Sequence, residues 1–137
     1  MLVMLMARRK RILARDPHDA CTIHRLGSGG GAMLYIIYGE DREDGAAAIR
    51  QAKTPEHLAY LDRHKRAIVL AGALLTDDAG KRVGSVSVIN VKDRAAAEAF
   101  VAAEPFRNAG LYRSIKISRM RKGQWFPDNA PKTPEGD

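Results

Sequence analysis

Met33-Leu34-Tyr35-Ile36-Ile37-Tyr38 runs without a polar interruption and is dense in β-branched and aromatic residues. Such side chains fit a pleated surface, so the run reads as a strand. Its apolar residues fall at both alternating sets of positions, so both faces need a cover. Just downstream, Gly39 to Gly45 encloses Glu40, Asp41, Arg42, Glu43 and Asp44 and reads as a charged turn. Ala46–Gln51 begins helical structure. The firmer helix onset is Thr54-Pro55-Glu56-His57-Leu58-Ala59-Tyr60-Leu61, with Thr54 as N-cap, Pro55 at the first helical position and Glu56 at the positive end. That helix is expected to reach about Lys65. Leu58 and Leu61 recur at helical spacing and are expected to face a core, with His57 beside them.

The remaining elements complete a pattern. Ile68–Leu75 is a second strand, Thr76–Gly80 a hairpin-type turn, and Val83–Val91 a third strand with Val86 and Val88 on one side and Ser85, Ser87, Ile89 and Val91 on the other. Asp93 is an N-cap for a helix over Arg94–Ala103, with a core stripe expected at Ala96, Ala99, Phe100 and Ala103. Glu104 to Gly110 forms a partly helical turn, and Tyr112–Met120 is a fourth strand with Ile115 and Ile117 facing in. The order β-α-β-β-α-β predicts an α+β, ferredoxin-like fold, a four-stranded antiparallel sheet with two helices on one face. Helices on one face leave the other side of strand one bare. A second copy of the same sheet is the simplest cover, which predicts a homodimer.

Bulk properties narrow the classes. The chain has 137 residues, enough for one domain with a modest core. Residues 1–32 carry a net charge of +4, residues 33–126 a net +5 and residues 127–137 a net −2. Basic and acidic residues alternate in the central part, which is no phosphate-tracking stripe, so nucleic-acid binding is disfavoured. Cys21 is the only cysteine, which excludes an internal disulfide and a thiolate metal cage and fits a reducing cytoplasm. No apolar run reaches the ~20 residues of a membrane span, and the Met1–Met6 run precedes its basic cluster, the reverse of a secretory signal. Residues 1–32 are expected to be an extension, with Gly27-Ser28-Gly29-Gly30-Gly31 as a flexible link and Met33 as a possible natural start. The acidic, proline-containing tail, 127–137, is expected to be disordered.

With the elements placed, the chain resembles the YCII-related (YciI-like) family of small bacterial proteins. The stretches that carry the resemblance are Met33–Tyr38, Pro55–Leu61, Gly84-Ser85-Val86 and Glu104-Pro105-Phe106-Arg107-Asn108-Ala109-Gly110-Leu111-Tyr112. The resemblance spans roughly residues 33–120. It implies a ferredoxin-like fold of the dimeric α/β-barrel type and a site built on a helix histidine and an acid before Pro-Phe/Tyr. His57 matches the histidine. Glu104 stands where the family usually has Asp, and Thr54 where it tends to have Arg. One branch is similar to dehydrochlorinases of chlorinated hydroxyquinols, which implies acid–base elimination or hydrolysis without a cofactor.

The residues themselves support that chemistry in kind. An imidazole moves protons near neutrality, and a carboxylate beside it fixes its tautomer and stabilises its charged form. His57 and Glu104 are therefore the candidate catalytic pair, and Ser85, Tyr35 and Tyr112 the candidate substrate-binding residues for a small organic molecule. Ser87 and Ser114 read as ordinary exposed strand serines. His57 and His64 lie two helical turns apart, about 10 Å of rise, too far to share a metal ion. His18 and His24 fall in the extension. The alternative is a non-catalytic dimeric module whose pocket only holds a ligand.

Overall fold

A computed structural model describes residues 33–136. The expectations placed on residues 1–32, including Cys21, His18 and His24, lie outside the described residues, as does Asp137. The elements are β1 (Met33–Asp41), α1 (Ala46–Arg63), β2 (Ile68–Leu75), β3 (Arg82–Val91), α2 (Arg94–Ala102), the single-turn α3 (Pro105–Asn108) and β4 (Tyr112–Met120). The four strands form one sheet in the order β2-β3-β1-β4. Every neighbouring pair is antiparallel. This is the ferredoxin-like arrangement that the element order predicts. β1 and β2 are joined through α1, and β3 lies between them.

The helices cover the face that carries alternate residues of β1. Tyr35 packs there with Ile89 of β3, Tyr60 of α1, and Ala97 and Phe100 of α2, and Ile37, Leu61 and Ile117 pack at the rim of this core. The Tyr60 hydroxyl donates to the Phe100 carbonyl at 2.7 Å, which satisfies its polar end inside the core and ties α1 to α2. A second cluster joins Ala46, Phe106 and Leu111 beneath the start of α1. Ile89 and Leu111 are fully enclosed. Truncating such a residue to alanine costs about 2–5 kcal/mol. On the opposite face of the sheet, Ile36 and Tyr38 of β1 stand beside Val88 and Val86 of β3, and Leu34 stands beside Met120 of β4. Among the described residues no helix covers this face, and Leu70 on β2 is 59% exposed. Among the described residues no helix is long and apolar enough to cross a membrane.

Three local expectations are corrected. α1 does not start at Thr54. It runs unbroken from Ala46, behind Gly45 in the left-handed region (φ 76°), with Pro55 inside it. A proline there forfeits one helical hydrogen bond at about 3 kcal/mol, so the packing of the helix on the sheet and α3 must outweigh that loss. The Thr54 hydroxyl, instead of capping, donates to the Arg50 carbonyl at 2.6 Å. Leu58 does not face the core and is 58% exposed, while Tyr60 is buried. In α2 the buried positions are Ala97, Phe100 and Val101, one step from the expected stripe. Alanines on every side of α2 leave the register undecided by pattern, and Phe100 with Val101 sets it. Continued by one turn, that stripe reaches Glu104, which is buried although charged. The tail contains a 3-10 turn at Pro127–Asn129, with no buried residue.

Candidate functional site

One row across the helix-covered face holds three small residues side by side and a single large one at its end. Ala73, Ser85, Gly39 and Ile115 are cross-strand partners in succession, and the next row holds Ala71, Ser87, Ile37 and Ile117. Helices resting on a sheet of larger residues would close the space between. Here the small row leaves a cavity of about 320 Å³ under α1 and α2, large enough for a single-ring molecule. Gly39 is required by its neighbour, since a Cβ there would lie 2.8 Å from Cδ1 of Tyr112. The absent side chain lets the Tyr112 ring lie directly on β1 at the cavity wall.

Two elements bring His57 and Glu104 together. Glu104 ends the buried stripe of α2 and caps α3, accepting from the Phe106 N–H through Oε1 at 3.0 Å and from the Arg107 N–H through Oε2 at 2.8 Å. The same Oε1 accepts from His57 Nδ1 at 2.6 Å. The His57 ring stacks on Phe106 with centroids 4.1 Å apart, so α3 orients the imidazole on its face as well as at its edge. Burial pushes the Glu104 carboxyl up, but its hydrogen bonds from His57, Phe106 and Arg107 outweigh that and hold it below the ordinary glutamate value. It is therefore an anion near neutrality and accepts only. The proton on the shared edge then belongs to Nδ1, and Nε2 of the neutral ring keeps its lone pair.

A second buried pair stands at the start of α1. Arg50 donates from Nε and Nη2 to the two carboxylate oxygens of Asp41 at 2.7 and 2.8 Å, and from Nη2 to the Gly84 carbonyl at 2.8 Å and Ser85 Oγ at 3.1 Å. This is a bidentate pair between residues only 6% and 8% exposed. Its guanidinium also lies over the Phe106 ring, 5.2 Å from the centroid. Tyr112 lines the same wall, and burial, outweighing the nearby Ser85 hydroxyl that favours the ionised form, pushes its phenol up to about 12. The phenol is thus a donor at any ordinary pH.

Of the residues singled out from sequence, His57, Glu104, Ser85 and Tyr112 all line the cavity. Tyr35 does not. It lies in the core, 4% exposed, with its hydroxyl towards Met33 Sδ at 3.9 Å. It shares a strand face with Gly39 but sits four residues away, about 13 Å along the strand. Ser87, read as an exposed strand serine, lines the cavity, whereas Ser114 is exposed and donates to Glu40 at 3.2 Å. His64 turns to Tyr60 and Phe100 rather than to the cavity. The sequence reading missed Asp41 and Arg50, which looked like two more charges of a solvated turn and helix. One signal was present: Arg50 precedes His57 by seven residues, two helical turns, and so shares its face.

A ferredoxin-like α+β domain with a histidine–carboxylate pair in a cavity between helices and sheet defines the class. The family description of a YCII-related domain matches residues 33–121, and the chain belongs to that family. It is 30% identical over 97 residues to Protein YciI of Escherichia coli O6:H1, covering 66% of this chain and 98% of that one. The match to Protein YciI of Shigella flexneri has the same identity and coverage. Among solved structures it is similar to 5-chloro-2-hydroxyhydroquinone dehydrochlorinase (TftG) of Burkholderia phenoliruptrix AC1100 in complex with 2,5-dihydroxybenzoquinone. That similarity has a TM-score of 0.61 and 29% identity over 66% of this chain and 96% of that chain.

Proposed function

We propose that this protein carries out proton-transfer chemistry on a small, ring-sized organic molecule, with His57 as the base. The observation that carries the reading is the 2.6 Å bond from His57 Nδ1 to the Glu104 carboxylate at the wall of the cavity. Nε2 takes the proton, and Glu104 stabilises the imidazolium that results. Tyr112, whose phenol burial pushes up to about 12, keeps its hydrogen to donate to an oxyanion developing on the ligand. In an elimination the C–H pair becomes the new π bond, the proton goes to Nε2 and the leaving group departs with its bonding pair. The similarity to a dehydrochlorinase favours this class of step over hydrolysis.

The test combines binding and turnover. Titration with 2,5-dihydroxybenzoquinone should shift the His57 imidazole signals in an NMR spectrum, and incubation with 5-chloro-2-hydroxyhydroquinone should release chloride. Failure to shift His57 would end the reading of this cavity as the ligand site. Shifts without chloride release would leave a binding module.

The uncovered sheet face belongs to the same proposal. Ile36, Tyr38, Val86, Val88, Leu70 and Met120 form an apolar surface that a second copy of the sheet would bury. Light scattering at micromolar concentration should give about twice the 15.1 kDa chain mass. A monomer at that concentration would refute the dimer.

A further inference from the structure

The charges around the cavity do not cancel. Arg50 is neutralised by Asp41 in a buried bidentate pair. Glu104 is held by His57 and two backbone amides. Arg82, which opens β3, and Arg107, on α3, also line the cavity. Neither has a carboxylate partner among the described residues: Arg82 makes no ion pair or hydrogen bond, and Arg107 reaches only the neutral side chain of Asn108, at 3.3 Å. Both residues are exposed, which puts them on the rim of the cavity rather than in its depth. Among the described residues Glu104 is the single acidic side chain lining the cavity. The remaining lining beside His57 is largely apolar, including Leu58, Leu61, Phe100 and Ile115.

The apolar stretch of Leu58, Leu61, Phe100 and Ile115 offers a carboxylate no donor, while Arg82 and Arg107 at the rim are two planar cations without a counter-charge. We propose that the cavity selects a small organic acid, with its carboxylate held at the mouth by Arg82 and Arg107 and its apolar body against Leu58, Leu61 and Phe100. This places a carbon of the ligand body beside His57 and the charged end in water-accessible surroundings, where it loses little hydration. A guanidinium fork matches both oxygens of a carboxylate, which a phenol or quinone oxygen does not offer. The inference rests on the reading of the cavity as a ligand site and adds the charge of its ligand.

Two ligands of the same ring separate the outcomes: 2,5-dihydroxybenzoate, which carries the carboxylate, and hydroquinone, which lacks it. Calorimetry should give the acid an affinity at least about tenfold higher, a difference of about 1.4 kcal/mol. Raising the salt to about 0.5 M should weaken the acid and leave hydroquinone unchanged, because the guanidinium groups are exposed to screening. In the double variant Arg82→Gln/Arg107→Gln the preference should fall to about threefold or less while His57 signals still shift with hydroquinone. Equal affinities in the wild type, or a preference that survives the double variant, would overturn the inference. In that event a hydroquinone-induced shift of His57 would leave the proton-transfer reading standing. Absence of any shift with either ligand would remove both.

Discussion

Asp41→Ala is expected to unfold much of the population near body temperature. The substitution leaves the Arg50 guanidinium in place, 6% exposed, with only the Gly84 carbonyl and Ser85 Oγ as acceptors and no counter-charge. An uncompensated buried charge costs about 3–5 kcal/mol. For a domain of this size that corresponds to a fall in Tm of roughly 12 °C or more. The double variant Asp41→Leu/Arg50→Met removes both charges and fills the space, and it should recover most of the loss, since replacing a buried pair whole is often near neutral. Thermal melts of the three proteins decide the matter. If Asp41→Ala melts within about 3 °C of wild type, the guanidinium has found water and the pair is not a structural anchor. Recovery of stability in the double variant should not bring recovery of the site, because Ser85 would lose the Arg50 donor that holds its hydroxyl at the cavity wall.

His57→Asn is expected to leave the fold standing and remove the chemistry. The ring is half-buried, and its loss forfeits one hydrogen bond and the stacking on Phe106, about 1–2 kcal/mol in all. Loss of a positioned general base lowers turnover by about 10²–10⁴-fold. Glu104→Gln should lower it less, because the base remains, but should cost more stability, since the carboxylate also caps α3. The two variants therefore rank oppositely in melting and in rate. pH separates them further. The Glu104 carboxyl is depressed in the folded protein, so its contribution is fully present above the unfolded glutamate value of 4.5 and is lost as pH falls through the lower folded value. Stability curves below pH 4.5 should flatten in Glu104→Gln and keep most of their slope in His64→Asn, whose ring lies away from the pair. Rates that fall equally in His57→Asn and His64→Asn would mean that the histidine pair was misassigned.

The strands could be read from the sequence because β-branched and aromatic runs such as Met33–Tyr38 and Ile68–Leu75 leave few alternatives, and their order leaves one common topology. The helices were legible as elements and less so in register. In α1 a proline marks a plausible start, and only tertiary packing makes it an interior residue. In α2 the alanines carry no directional information. At the site, His57 and Glu104 stood out through the family likeness of their surroundings, and the structure brings them to 2.6 Å. Asp41 and Arg50 did not stand out, because burial is what distinguishes them from the other charges nearby and burial is a property of the fold. Tyr35 lies outside the cavity for a simpler reason: face can be read from strand alternation, but height along the strand relative to the helices cannot.

The row of small residues beneath the helices has a consequence for how this scaffold diversifies. Ala71, Ala73 and Ser87 line the cavity and take no part in the His57–Glu104 bond or the Arg50 pair. Each is a position where a methyl or two can be added at the floor while the residues of the His57–Glu104 bond stay as they are. Relatives could then differ in the length and girth of the compounds they accept while sharing one reaction centre. A library varied at these three sites, screened against ligands of graded size, would convert the depth of the cavity into an adjustable ruler.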